Sequence, residues 1–185
     1  MYNDPYRYPY YYYPYYSQAP FYYDEGGAFQ EREQNQQYHS FRSPHQGVHS
    51  LKDQGRKPYV VNINEASKQN NTFRTALWTG EHLQVTLMSL RPGEDIGLER
   101  HPHVDQFLRI EQGQGVVQMG RRKDDLRFVR NVFDDSAIMI PAGTWHNLTN
   151  TGNTPLKLYS IYAPPNHPFG TVHRTKAEAM AAEEQ

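Results

Sequence analysis

From Pro58 onward the chain breaks into short segments with alternating or briefly continuous apolar positions, each bounded by Gly, Pro, Asn or Asp. "PYVVNI" (58–63) reads as a strand start, and the polar stretch Glu65–Asn71 as a turn. "FRTALWTG" and "EHLQVTLMSLRPG" predict a hairpin turning at Gly80, and "QFLRIEQGQGVVQMG" predicts two strands broken at Gly113–Gly115. "LRFVRNVF", "SAIMIPAG", "WHNLTNTG" and "LKLYSIYAPP" continue the series. Only the last stretch, Thr175–Glu183, has a helical pattern, with Thr175 as its N-cap and alanines behind it. Evenly spaced short strands with turn signals predict an antiparallel all-β sandwich or barrel. Alternation also assigns faces. If Gln106 points inward, so do Leu108 and Ile110, while Phe107 and Arg109 face out.

The pattern is absent before Pro58. Eleven of the fifteen tyrosines lie between Tyr2 and Tyr23, interleaved with Pro5, Pro9, Pro14 and Pro20, and a Gln/His/Ser-rich stretch runs from Gln30 to Lys57. Between Ala28 and Pro58 the only aliphatic side chains are Val48 and Leu51, too few to offset the ordering entropy of a core. The expected organisation is therefore a disordered tail at 1–57, one folded domain at 58–174, and a short C-terminal helix and tail at 175–185.

Composition narrows the chemistry. The chain has 185 residues, no cysteine and a net charge of −1. Disulfides, thiolate catalysis and Cys-ligated metal are excluded, and no overall basic field points to nucleic acid or an anionic membrane. No apolar run nears the roughly 20 residues of a membrane-spanning helix, and the Tyr-rich start lacks the layout of a signal peptide, so the expected location is cytoplasmic. The mean hydropathy of −0.90 is dominated by the tail.

Two stretches of the β region carry chemistry. In "PGEDIGLERHPHVDQFLRIEQG", Gly93, Glu99, His101, Gln106 and Gly113 are separated by five, one, four and six residues. In "PAGTWHNLTN", Pro141, Gly143, His146 and Asn150 are separated by one, two and three. With these spacings the chain resembles the cupin superfamily, specifically the single-domain type-2 cupins often described as mannose-6-phosphate-isomerase-like. Those proteins carry G-x5-H-x-H-x4-E-x6-G followed by G-x5-P-x-G-x2-H-x3-N. The resemblance spans about residues 58–171 and implies a double-stranded β-helix, or jelly-roll, barrel with a metal held at one end. Glu99 stands at the family's first histidine, Gln106 at its glutamate and Asp135 at the leading glycine of the second motif. Reading His101 and His103 as the H-x-H pair instead would put Phe107 or Leu108 at the glutamate position and break the count from Gly93.

The resemblance thus implies the ligand set Glu99, His101, Gln106 and His146, with His103 at the pocket rim. Two neutral imidazoles, one carboxylate and one amide carry the same −1 charge as three imidazoles and one carboxylate. Such donors suit Fe(II), Mn(II), Zn(II) or Ni(II) with open positions for water or a chelating ligand. A metal-free polar pocket is the alternative. If the protein is an enzyme, Glu99 is the candidate proton carrier, in sugar-isomerase-like or oxygenase-like chemistry. Pro141 and Gly143 are expected to turn the chain that delivers His146, with Asn150 bonding the backbone there. Arg121, Arg122 and Lys123, followed by Asp124 and Asp125, read as a solvated turn. No function is assigned to His82, His167 or His173.

Partners follow from the same resemblance and from the tail. Small cupins imply a homodimer, with Phe107 on its contact face, and a small-molecule ligand in the barrel. The tail resembles the Tyr- and His-rich stretches of bacterial spore-coat and surface-layer proteins. Residues 1–27 could then join coat or surface-layer proteins by phenol contacts, with the barrel as a dimer module.

Overall fold

The computed structural model describes residues 51–183. The expectations for residues 1–50, including the assembly role of the Tyr-rich stretch, lie outside the described residues. Helix α1 (Ile63–Gln69) precedes the strands β1 (Arg74–Thr79), β2 (Gln84–Leu90), β3 (Asp105–Gln112), β4 (Gln114–Gly120) and β5 (Phe128–Phe133). Then come β6 (Ala137–Ile140), β7 (Trp145–Asn150), β8 (Leu156–Ala163), the two-residue β9 (Val172–His173) and helix α2 (Lys176–Glu183). A six-stranded sheet, ordered β6-β3-β8-β2-β1-β9, accompanies a three-stranded one, β5-β4-β7, and every pairing is antiparallel. The expected hairpin, the break at Gly113 and the C-terminal helix are all present.

Register divides the interior into two halves. Along β2 the inward residues run Gln84, Thr86, Met88, Leu90, and their partners on β8 run Tyr162, Ser160, Leu158, Leu156. On β3 the buried series is Gln106, Leu108, Ile110, and on β7 it is His146, Leu148, Asn150. Because side chains alternate with a period of two, one end of each of these four strands delivers polar groups and the next inward residues deliver leucine, isoleucine or methionine. The apolar end is the core, with Met88, Leu90, Leu108, Ile110, Leu148 and Leu158 each 1% exposed or less. The polar end is where a site can form.

Two expectations are corrected. Pro58–Asn62 is not a strand, and the turn assigned to Glu65–Asn71 is largely helix α1. Asn62 caps it, its side chain accepting from the Glu65 N–H at 3.2 Å, and the Asn70 N–H closes it on the Ala66 carbonyl. Ala66 packs with Leu77 and Leu87 on the outer face of β1 and β2. Tyr59, Val61 and Ile63, whose spacing mimics strand alternation, pack against this cluster instead, while Val60 is exposed. Secondly, residues 51–57 are tied to the barrel. Leu51 joins the α1 cluster, the Gln54 N–H donates to the Leu77 carbonyl, and the Asp53 carboxylate accepts from Thr79 and from the Gly170 N–H. At the other end Thr175 caps α2 by accepting from Glu178 N–H, and Ala179 is fully buried in the core.

Asn150 illustrates how polar burial is satisfied here. Its Nδ2 donates to the carbonyls of Leu90 and Thr154, and its Oδ1 accepts from the Gly152 N–H. It therefore ties loops together at the end of β7 remote from His146, not at the turn before His146. Substituting Asn150→Ala removes three hydrogen bonds and strands two carbonyls. A loss of about 3 kcal/mol is expected, at roughly 1 kcal/mol per bond, measurable by denaturant unfolding. A loss under about 0.5 kcal/mol would show that water replaces the side chain without cost.

Candidate metal centre

Backbone pairing assembles the site. The segment before β3 runs beside β7, where Glu99 and His146 form an isolated antiparallel bridge and exchange both backbone hydrogen bonds at 3.0 Å. Two residues on, the His101 carbonyl accepts from the Gly143 N–H at 2.8 Å. Gly143 sits in the tight turn after Pro141, closed by Thr144 N–H on the Pro141 carbonyl, at φ +79, the left-handed conformation that glycine tolerates best. The Ala142 N–H is held by the Asp105 carboxylate. The expected role of Pro141 and Gly143 is thus what the structure shows.

The outcome is a group of three donors. One ligand atom each from Glu99, His101 and His146 lies within 4.8 Å of the others. Glu99 Oε1 is 3.3 Å from both His101 Nε2 and His146 Nε2. The two imidazole rings are 5.5 Å apart. His146 is 1% exposed, and the other two side chains are 14% and 12% exposed, so water competes little for these atoms.

Protonation can be argued atom by atom. His146 Nδ1 meets the Thr144 carbonyl at 2.9 Å, and a carbonyl only accepts, so Nδ1 carries the proton. In the neutral ring Nε2 then turns a lone pair toward the Glu99 oxygen. Neither 3.3 Å approach has hydrogen-bond geometry, and all three atoms are buried without a hydrogen-bond partner. Burial opposes the Glu99 charge, but the two imidazoles and the Arg74 guanidinium outweigh it and hold the carboxyl well below the usual carboxylate range. A charged carboxylate in so dry a site needs a cation among these three atoms, whether a proton on an imidazole Nε2 or a metal ion. These residues fit a divalent metal ion.

Gln106 is on β3, paired with Tyr162 and Ile140, and points inward as expected. Its Nε2 donates to Ser160 Oγ at 3.1 Å, leaving Oε1 buried and without a partner. The exposed His103 does not join the group. Asp135 takes the left-handed conformation, φ +67, which Asp and Asn adopt more readily than most residues, and its carboxylate pairs with Arg109. Its difference from glycine is thereby accommodated. Trp145 lies beneath the cations of Arg100 and Lys123, 5.5 and 5.6 Å from its ring, outside the donor group. Arg122 pairs with Asp124 and Arg127 with Asp125, in keeping with a solvated turn.

A family model described as "Cupin domain" matches residues 86–162, which contain all four expected ligands. The chain is 79% identical over 134 residues to the uncharacterized protein YrkC of Bacillus subtilis, covering 72% of each. The chain belongs to the cupin superfamily. Among solved structures, the cupin fold is matched by BH2720 from Bacillus halodurans, 69% identical with a TM-score of 0.70, covering 71% of this chain and 99% of that one. An uncharacterized protein with a double-stranded β-helix domain from Klebsiella pneumoniae, 19% identical, shares the fold at a TM-score of 0.50, covering 64% of this chain and 100% of that one. Among the described residues of this cupin no helix is long and apolar enough to cross a membrane.

The structure also brings in residues that the sequence reading set aside. His167 and His173 line a cavity of about 420 Å³ together with Glu99 and His101. The His167 ring packs edge-on to Tyr162 at 5.0 Å, and Tyr162 in turn packs on His101 at 5.8 Å. Arg74 on β1 is fully buried, and its charge acts on Glu99, Tyr162, His167 and His173. The only sequence signal for Arg74 was its inward position on an alternating strand, where a charged residue is conspicuous. His167 and His173 lie outside both motifs.

Proposed function

We propose that this cupin is a metal-dependent small-molecule protein in which Glu99, His101, His146 and Gln106 hold one divalent ion of the Fe(II), Mn(II), Zn(II) or Ni(II) kind. The observation that carries the reading is the convergence of three buried, hydrogen-bond-orphaned donor atoms within 4.8 Å. When bound, such an ion supplies Lewis acidity toward ligand oxygens. The protein's own residues do the rest. Thr144 fixes the His146 tautomer, Ser160 aims the Gln106 amide, and the apolar end of the barrel keeps bulk water from one side of the site. One oxygen of Glu99 faces both imidazoles, and Glu99 is the residue that would carry the proton in sugar-isomerase-like chemistry. Oxygenase-like chemistry would need a redox-active ion such as Fe(II) with open positions for dioxygen and the ligand.

A homodimer belongs to the same reading. Phe107, Met139 and Ile161 line an apolar groove on the outer face of the six-stranded sheet, with Met139 67% exposed.

Elemental analysis of protein purified without an affinity tag tests the proposal. About one equivalent of a transition metal per chain is expected, lost on dialysis against a strong chelator and restored by adding the ion back. A protein that neither arrives with metal nor takes one up would leave a metal-free pocket as the correct account.

A further inference from the structure

We infer that β5 is a self-association surface: its open edge pairs antiparallel with β5 of a second copy, in the register that sets Asn131 opposite Asn131. β5 ends the three-stranded sheet and is bonded along one side, to β4. The opposite edge of that sheet is covered, since His146, Leu148 and Asn150 of β7 bond through their backbone to the segment 93–99. An antiparallel strand bonds its two neighbours through alternate residues. β7 therefore meets β4 at Val116 and Gln118, which leaves Gly115, Val117 and Met119 of β4 to bond Val132, Arg130 and Phe128 of β5. Val129 and Asn131 are left with their peptide groups turned to the open edge. Two side-chain contacts agree with that phase: the Val129 carbonyl accepts from the Arg130 guanidinium at 2.8 Å, and the Phe133 N–H donates to Ser136 Oγ at 2.9 Å.

What this edge presents is apolar and complementary to itself. Phe128 and Val129 are each 45% exposed and Phe133 is 54% exposed, on a strand whose edge nothing among the described residues pairs. A two-fold axis normal to a sheet pairs residues of one parity, because opposite side chains share a face. With the axis at Asn131, Val129 of each copy meets Phe133 of the other, so two exposed apolar side chains gain an apolar partner across the strands. Just past the strand ends, the exposed Arg127 of each copy is carried to the Asp134–Asp135 turn of the other, setting unlike charges together. The neighbouring registers lack this fit. Centring on Arg130 sets guanidinium against guanidinium, and centring on Val132 sets Val129 against Asp135. The Phe133 N–H stays with Ser136, so the pairing rests on the bonds exchanged by the two Asn131 peptides and on the Val129 N–H of each copy. So short a contact is weaker than a standard interface, and the association should rise with concentration. It lies on the other sheet from the groove at Phe107 and is independent of it.

The chain has no cysteine, so a single introduced one reports on the contact. The test oxidises full-length Asn131→Cys and Val129→Cys with diamide and follows the covalent dimer. Opposite residues of a hydrogen-bonded antiparallel pair lie about 5.5 Å apart at Cα, within disulfide range. The two copies of Val129 are offset by four residues in this register, roughly 13 Å along the strand. Asn131→Cys should therefore cross-link at least about tenfold faster than Val129→Cys. Sedimentation of the parent over a concentration series is compared with Asn131→Pro and Val129→Lys. The Asn131 N–H points away from β4, so proline there removes no bond within the chain and should weaken the association at least about tenfold. Val129→Lys sets a charge against Phe133 of the second copy, serves if the proline variant does not fold, and should act alike. Equal cross-linking rates for the two cysteine variants, or the same association in the parent and the folded edge variants, overturns the pairing and leaves the edge to an extended segment of another protein.

Discussion

Replacing His146 with alanine is expected to strip the protein of metal. His146 is the most buried of the three donors, and its ring is held by the Thr144 carbonyl so that Nε2, not Nδ1, faces Glu99. Alanine removes that donor and leaves Glu99 and His101 beside a cavity too dry for water to replace the imidazole well. Since disturbing a mere supporting partner of a metal ligand typically costs 10–100-fold in affinity, loss of the ligand itself should exceed about a hundredfold. His101→Ala should behave alike. Glu99→Gln removes the one carboxylate of the group and should weaken retention while the shape is kept. The control is His103→Ala: His103 is exposed and outside the donor group, so its removal should leave metal content unchanged. Metal-to-protein ratios after chelator dialysis, with circular dichroism to verify folding, give the answer. Parental retention by His146→Ala would sink the site as drawn.

The fold and the centre of the site were legible in the sequence for the same reason: both depend on local spacing. The strand pattern announces itself through period-two alternation and Gly or Pro punctuation. The unbroken counts from Gly93 to Gly113 and from Pro141 to Asn150 carry the donors. Helix α1 was missed because residues 59–63 place apolar side chains as a strand would, and the deciding Asn62 cap is a single side-chain contact. Residues 51–57 were assigned to the tail because their composition is polar, yet Asp53 ties this segment to Thr79 and Gly170 through hydrogen bonds that composition does not encode. The second half of the pocket was missed for a different reason. His173 reaches the cavity through the pairing of β9 with Arg74 and Thr75 of β1, only two residues on a strand too short to show any periodicity, and His167 through the hydrogen bonds of its backbone with the Gln84 amide.

Acid should destabilise this protein in a window set by His167. Burial, reinforced by the positive charge of Arg74, pushes the His167 imidazole down from the ordinary value of 6.5 to about 3, with Glu99 pulling the other way. The folded state therefore keeps the ring neutral where the unfolded chain would protonate it. Above pH 6.5 the ring is neutral in both states and contributes no slope. As pH falls below 6.5, the unfolded state binds a proton that the folded state does not, so stability falls with pH until the folded value near 3 is reached. Between pH 6.5 and 4.5 the ring alone should cost about 2–3 kcal/mol at 1.36 kcal/mol per pH unit, with Glu99 adding to the loss toward the lower end as its carboxyl protonates in the unfolded chain. His167→Phe isolates the effect. A phenyl ring keeps the edge-on packing against Tyr162, and the backbone hydrogen bonds between residue 167 and the Gln84 amide do not involve the imidazole. Denaturant unfolding of chelator-treated parent and variant at half-unit pH steps should give a steeper loss in the parent than in His167→Phe, and the difference between the two profiles is the His167 contribution, since every other titrating group, His173 and Glu99 included, is common to both. Parallel pH profiles for the two proteins would show that the ring is hydrated and titrates alike in the folded and unfolded chain, and would remove His167 from the dry wall of the cavity.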